Sequence, residues 1–120
     1  MQLNRLVLYV KDLEVSAEFY ETHFGYKRQQ IAGDRILELV PDGTGATLML
    51  HQAAKSQKYG QSSVKLVFDV ENVFEFIAVN GDKGPSFGPI HQADGYVFAN
   101  CKDPNGNSIS ISSRAFVKRK

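Results

Sequence analysis

Arg5 and Lys65 stand sixty positions apart, each near the start of an aliphatic run, "RLVLYV" and "KLVFDV". A guanidinium offers a planar fork to a carboxylate or phosphate, and an ammonium adds a compact positive charge. Strand side chains alternate faces, so Arg5, Val7 and Tyr9 share one side of the first run, and Lys65, Val67 and Asp69 share one side of the second. In "NSISISS" the same alternation separates Ile109 and Ile111 from Ser108, Ser110 and Ser112, leaving one face lined with hydroxyls. Matching Leu48 and Leu50 to Ile109 and Ile111 puts Thr47, Met49 and His51 on the corresponding side of "ATLMLHQ". Arg5, Tyr9, His51, Lys65 and Ser110 are therefore the candidate ligand-binding residues. Two cations beside an aromatic ring and hydroxyls suit a small anionic or carbonyl-bearing molecule. The competing reading is that Arg5 and Lys65 pair with Asp69 or a nearby glutamate and simply close the site, as half-buried charges tend to do.

Other reactive residue types carry weaker signals. Cys101 is a conceivable nucleophile with His51 or His91, but a cysteine beside a turn is more often a small core residue. His23 lies among Phe19 and Phe24 in a helical pattern and reads as packing or surface. His91, in the loop-rich "FGPIHQADG" at the expected cleft mouth, reads as a surface histidine ahead of a ligand contact. "PDGTGAT" lacks the Lys-Ser/Thr pair of a phosphate-binding loop and reads as a hairpin turn. The terminal "RAFVKRK" reads as a solvated basic tail. No catalytic residue is assigned.

The elements that must position these side chains follow from periodicity. "LNRLVLYV" predicts a mostly buried strand over residues 3–10. "KDLEVSAEFYETHFG" predicts a helix capped by Asp12, with Leu13, Ala17, Tyr20 and Phe24 at helical spacing and Gly25 at its left-handed end. "YKRQQIAG", "RILELVP" and "ATLMLHQ" predict three strands separated by "GD" and "PDGTG" turns. Residues 52–62 are polar and aperiodic, as a linker is. The order then starts again. "SVKLVFDV" is a strand, and "ENVFEFIAVNG" is a short helix with Asn72 and Glu75 at capping-box spacing. "SFGPIHQ", "GYVFANC" and "NSISISS" supply three more strands. Sliding the chain by sixty positions lays Val10-Lys11-Asp12-Leu13 on Val70-Glu71-Asn72-Val73. The prediction is an α+β fold of two tandem βαβββ modules, residues 3–51 and 63–113, followed by a tail at 114–120. Such modules can curl a mixed sheet around a cleft, with the helices outside.

Bulk properties narrow the function. At 120 residues the chain is one ordinary domain, able to bury roughly two thirds of its unfolded surface without metals or disulfides. A formal net charge of +1 argues against a nucleic-acid partner, whose protein face is usually strongly basic. The single cysteine forms no intramolecular disulfide, and no stretch approaches the ~20 apolar residues needed to cross a bilayer. The expectation is a soluble cytoplasmic protein with no membrane partner.

"LVLYVKDLEVSAEFYETHFGY", with its pattern DLxxSxxFYxxxFG, and "FGP…DPNGN" before the last strand resemble the vicinal oxygen chelate superfamily. That group comprises glyoxalase I, bleomycin-resistance proteins, fosfomycin-resistance enzymes and extradiol dioxygenases, and the resemblance spans Leu3 to Ser113. It implies the glyoxalase/bleomycin-resistance/dioxygenase fold and a homodimer whose clefts are shared between chains. In metal-dependent members it further implies a divalent metal bound by His, Gln and Glu side chains, which chelates adjacent substrate oxygens. The implied histidine seven residues before the aspartate of "KDL" is here Arg5. The second, three residues before the phenylalanine of "LVFDV", is Lys65. The glutamate seven residues beyond the first aspartate of "DPNGN" is Ser110. Two cations and a serine are poor ligands for such a metal.

No cofactor is therefore expected. The expected function is a glyoxalase/bleomycin-resistance-like protein that lacks the usual metal ligands and binds a small, anionic-compatible molecule in a dimeric cleft. Bleomycin itself is disfavoured, since a cationic drug calls for an acidic, aromatic cleft and the chain has no tryptophan. One alternative is a metal-dependent lyase or dioxygenase of the glyoxalase type using relocated ligands, with His51, Glu38 and His91 as the donors to look for. Another is an interaction module with a vestigial cleft.

Overall fold

Each half of the chain folds as a helix laid on one face of a four-stranded sheet. The computed structural model describes every residue except Ile31, Gly60, Arg119 and Lys120. It divides into two units, Met1–Lys58 and Tyr59–Lys120. The last two residues of the basic tail lie outside the described residues, as does Ile31 of the predicted "YKRQQIAG" strand.

In the first unit β1 (Arg5–Val10) leads to α1 (Leu13–Phe24), then β2 (Tyr26–Gln29), β3 (Leu37–Pro41) and β4 (Thr47–Gln52). The sheet order is β1-β4-β3-β2, with β1 parallel to β4 and the other pairs antiparallel. Asp12 starts α1, its carboxylate accepting from the Val15 N–H at 3.1 Å. Gly25 ends the helix at φ 70°, a conformation that costs glycine nothing. Ala17 and Tyr20 of α1 are buried, as are Leu37 and Leu39 of β3 and Leu48 and Leu50 of β4, the strands that α1 lies on. Each large aliphatic so covered stabilises the fold by about 1.5–3 kcal/mol. Tyr26 joins this core, and its hydroxyl donates to the Ala46 carbonyl at 3.1 Å. Burial accordingly raises the Tyr26 pKa.

The second unit repeats the plan with β5 (Lys65–Asp69), α2 (Val73–Asn80), β6 (His91–Gln92), β7 (Val97–Lys102) and β8 (Ser108–Ser112). Its sheet order is β5-β8-β7-β6, again with only the first pair parallel. Asn72 caps α2 by accepting from the Glu75 N–H at 3.0 Å, at the position that Asp12 holds sixty residues earlier. Val73, Ala99, Cys101, Ile109 and Ile111 are buried. The hairpin between β7 and β8 is organised by Asp103. Its carboxylate accepts from the backbone N–H groups of Asn105 and Asn107, both at 2.8 Å, and from the Asn107 side-chain amide at 2.9 Å. Gly106 supplies the left-handed residue of that turn at φ 80°.

The predicted strand over "SFGPIHQ" is present only as His91–Gln92. Pro85 and Pro89 have no N–H to give to a ladder; Gly88 between them still donates to the Asn100 carbonyl at 2.8 Å, but continuous pairing starts only at His91. In contrast, β7 runs one residue beyond "GYVFANC", to Lys102.

Candidate functional site

The face of each sheet turned away from its own helix is where the chemistry-bearing side chains collect. In the first unit, β1 alternates exposed Arg5, Val7 and Tyr9 with more covered Leu6, Leu8 and Val10. Register places Arg5 opposite Thr47, Val7 opposite Met49, and Tyr9 opposite His51. Glu38 faces Met49 from the other side, so it shares this face. The Arg5 guanidinium reaches it at 3.4 Å. The nearby glutamate of the competing reading thus exists, and Arg5 is partly neutralised. The pair stays open to water, with the Arg5 side chain 61% exposed, which limits it to about 1 kcal/mol or less.

At the other end of this face the Tyr9 and His51 rings meet at 5.4 Å between centroids, tilted by 55°. His51 Nδ1 lies 2.9 Å from the Gln52 carbonyl. A carbonyl only accepts, so this bond puts the proton on Nδ1 and leaves Nε2 as the acceptor of the neutral ring. Tyr9 and Val7 are each nearly half exposed, in mid-strand, where a covered sheet would bury them. The face therefore offers a guanidinium–carboxylate pair at one end, a tyrosine–histidine ring pair at the other, and apolar surface between.

In the second unit the corresponding face carries Lys65, Val67 and Asp69 on β5, paired in register with Ser108, Ser110 and Ser112. Phe98, Asn100 and Lys102 of β7 face the same serines from the far side. The alternation of β8 holds, since Ile109 and Ile111 are fully buried. The serine hydroxyls are less available than their face implies. Ser110 is 3% exposed and its hydroxyl donates to the Ala99 carbonyl at 3.2 Å, with the Ile111 carbonyl at 3.4 Å. The Ser112 hydroxyl accepts from the Arg114 N–H at 3.1 Å. A serine is short, and between larger side chains on both flanking strands its oxygen finds backbone before it finds solvent. Lys65 Nζ donates to the Asn100 side-chain oxygen at 3.2 Å.

His91 stacks on Phe98 at 5.0 Å, and Tyr96 follows at 6.2 Å from Phe98. Arg114, the first residue of the tail, lies over the Tyr96 ring at 5.2 Å and donates to its hydroxyl at 3.1 Å. The start of the tail is thus tied to the sheet. His23 packs on Phe19 at 5.2 Å, and burial lowers its pKa. Cys101 is buried, and burial with the neighbouring Asp103 carboxylate pushes its thiol up to about 11. A thiol held protonated at neutral pH is a poor nucleophile.

Arg5, Tyr9 and His51 thus share the open face of one sheet, and Lys65 and Ser110 that of the other. Sequence reasoning allowed Arg5 a nearby glutamate without singling out Glu38, and it missed Phe98, Asn100 and Lys102. A signal for Lys102 exists. The hairpin about Asp103–Asn107 pairs Lys102 with Ser108, but only if β7 extends one residue into the polar end of its segment.

The metal that the family resemblance implies does not fit these residues. The three implied positions hold a guanidinium paired with Glu38, an ammonium bound to Asn100, and a hydroxyl spent on the Ala99 carbonyl. Glu38 and His51 share a face, yet among the described residues no group of three or more His, Cys, Asp or Glu side chains comes together as a metal site.

The chain matches the Glyoxalase/Bleomycin resistance protein/Dioxygenase superfamily over residues 2–111. No curated protein matches it. Among solved structures, TnmS3, described as an antibiotic binding protein from Streptomyces sp. CB03234, is 22% identical with a TM-score of 0.74, over 92% of this chain and 93% of that one. An integron cassette protein from the mobile metagenome of V. cholerae is 25% identical with a TM-score of 0.70, over 93% and 94% of the two chains. A superfamily member from Sphaerobacter thermophilus is 19% identical with a TM-score of 0.73, over 93% and 96%. These likenesses speak to the fold.

Proposed function

The chain belongs to the glyoxalase/bleomycin resistance protein/dioxygenase superfamily, and from that premise we propose that it binds a small molecule in a dimeric cleft without a divalent metal. The observation that carries this reading is the fate of the three implied ligand positions. Arg5, Lys65 and Ser110 each place one polar contact, on Glu38, Asn100 and the Ala99 carbonyl respectively, and none is a metal donor of the usual kind. The half-exposed Val7, Tyr9 and Val67 support binding rather than a vestigial surface, because apolar side chains in mid-sheet gain from being covered. TnmS3 is described as an antibiotic binding protein, and small-molecule binding by a related fold supports the same kind of activity here.

Arg5, Tyr9, His51 and Lys65 are the residues assigned to contact the ligand. Ser110 contributes by shaping the floor of the sheet, since its hydroxyl is already used. The test is a calorimetric titration of the chelator-free protein with zinc and with nickel. The expected result is no stoichiometric site tighter than about 10 µM for either ion. One tight equivalent per chain would overturn the metal-free reading and direct attention to relocated ligands.

A further inference from the structure

We propose that Lys65, Ser108 and Lys102 form an oxyanion subsite at one end of the open face of the second sheet, taking a carboxylate or phosphate group of the bound molecule. The proposal rests on the small-molecule reading above and gives it a ligand class: an anion with an apolar body.

The three residues form a single row. Lys65 is directly opposite Ser108 on one side of β8, and Lys102 is directly opposite it on the other. With neighbouring strands about 4.8 Å apart, the two lysine backbones stand about 10 Å apart with the serine midway. Both ammonium groups lean inward over β8. Lys102 Nζ donates to the Ser108 hydroxyl at 2.8 Å, and Lys65 Nζ crosses the strand to the Asn100 side-chain oxygen at 3.2 Å.

Both of these partners are neutral. Among the described residues neither lysine lies within ion-pair distance of a carboxylate; the ion pairs found there involve Arg5 and Arg28. Asp69 shares the face but stands four residues along β5, about 13 Å away. Asp103 follows Lys102 in the chain, but its carboxylate is buried and accepts from the Asn105 and Asn107 amides. Two like charges converging on one strand repel each other, and an oxyanion between them converts that repulsion into charge-assisted hydrogen bonds. The Ser108 hydroxyl, accepting from Lys102, has its own proton to donate to the same anion.

Away from the row the face turns apolar. Val67, two residues along β5, is 56% exposed, and the stacked rings of Phe98 and His91 lie further along. A flat or aliphatic body attached to the oxyanion finds cover there.

The experiment is heteronuclear NMR of the full-length, isotope-labelled protein, titrated separately with inorganic phosphate, benzoate and, at matched ionic strength, chloride. Saturable shifts are expected at the amides of Lys65, Lys102 and Ser108 with phosphate or benzoate, with benzoate also moving Val67 and Phe98. Saturation by phosphate alone assigns the anion as a phosphate ester; saturation by benzoate alone assigns it as a carboxylate. Lys102→Ala and Lys65→Ala each weaken the response about tenfold or more, the loss of one charge-assisted contact, and Lys55→Ala, at an exposed lysine given no part in binding, leaves it unchanged. Shifts that never saturate, that chloride reproduces, or that survive Lys102→Ala overturn the subsite. The zinc titration is read separately: tight zinc with saturable phosphate retires the metal-free reading alone, and no zinc with unsaturable phosphate retires the subsite alone.

Discussion

A serine at position 110 separates two properties that are often read as one, the face a side chain occupies and its availability there. Alternation along "NSISISS" places Ser110 on the open face, and register confirms it opposite Val67 and Asn100. Its hydroxyl nonetheless goes to the Ala99 carbonyl. That partner sits on a neighbouring strand, so it was not legible in the local sequence. Glu38 is a similar case. Its reach to Arg5 requires β4 to lie between their strands, and nothing within "RILELVP" states that order. Cys101 is the opposite kind of residue, whose neighbours make it inert. With its thiol pushed up to about 11 and its side chain buried, the native protein at pH 8 resists iodoacetamide and labels promptly only when unfolded in denaturant. Rapid stoichiometric labelling of the native protein, followed by mass spectrometry, would contradict this.

Elements were the most legible level, and the reason is chemical. Asp12 and Asn72 each stand just before an apolar helical pattern, and each caps its helix through a side-chain oxygen, as their types and spacing predict. Strand ends were less legible, because they depend on what pairs alongside. Prolines at 85 and 89 delay β6, whereas a partner for Lys102 prolongs β7. Between elements, Arg28 ties β2 to α1. Its guanidinium donates to Glu14 at 2.9 Å and 3.1 Å and to Glu21 at 2.7 Å. The hydrogen bond from Arg28 holds the Glu21 carboxyl below its ordinary 4.5. A carboxylate with a depressed folded-state pKa stabilises above its unfolded value, and that contribution is lost as pH falls through the folded one. Arg28→Ala therefore costs about 1 kcal/mol at pH 7, an amount typical of partly exposed networks, and the cost shrinks below about pH 4. Urea denaturation of both proteins at pH 7 and pH 3 checks this. An equal gap at both values would mean that Arg28 acts through packing alone.

For the whole molecule, the internal duplication is the feature the sequence shows best. Arg5 and Lys65 open equivalent strands, and Leu48 and Leu50 fall on the buried face just as Ile109 and Ile111 do. Duplication repeats the scaffold without repeating the chemistry. One open face pairs a cation with a carboxylate and an aromatic with a histidine; the other sets two lysines about a serine. The two open faces are thus chemically distinct surfaces built on one plan. A near-neutral chain keeps this local, with a formal net charge of only +1. The most direct measurement is native mass spectrometry of the protein purified without chelators, which reports assembly, metal and retained organic molecules together. The account predicts a species at twice the 13.4 kDa chain mass, without stoichiometric metal, carrying an added organic mass or acquiring one on incubation with benzoate. A species holding one divalent ion per chain would contradict it.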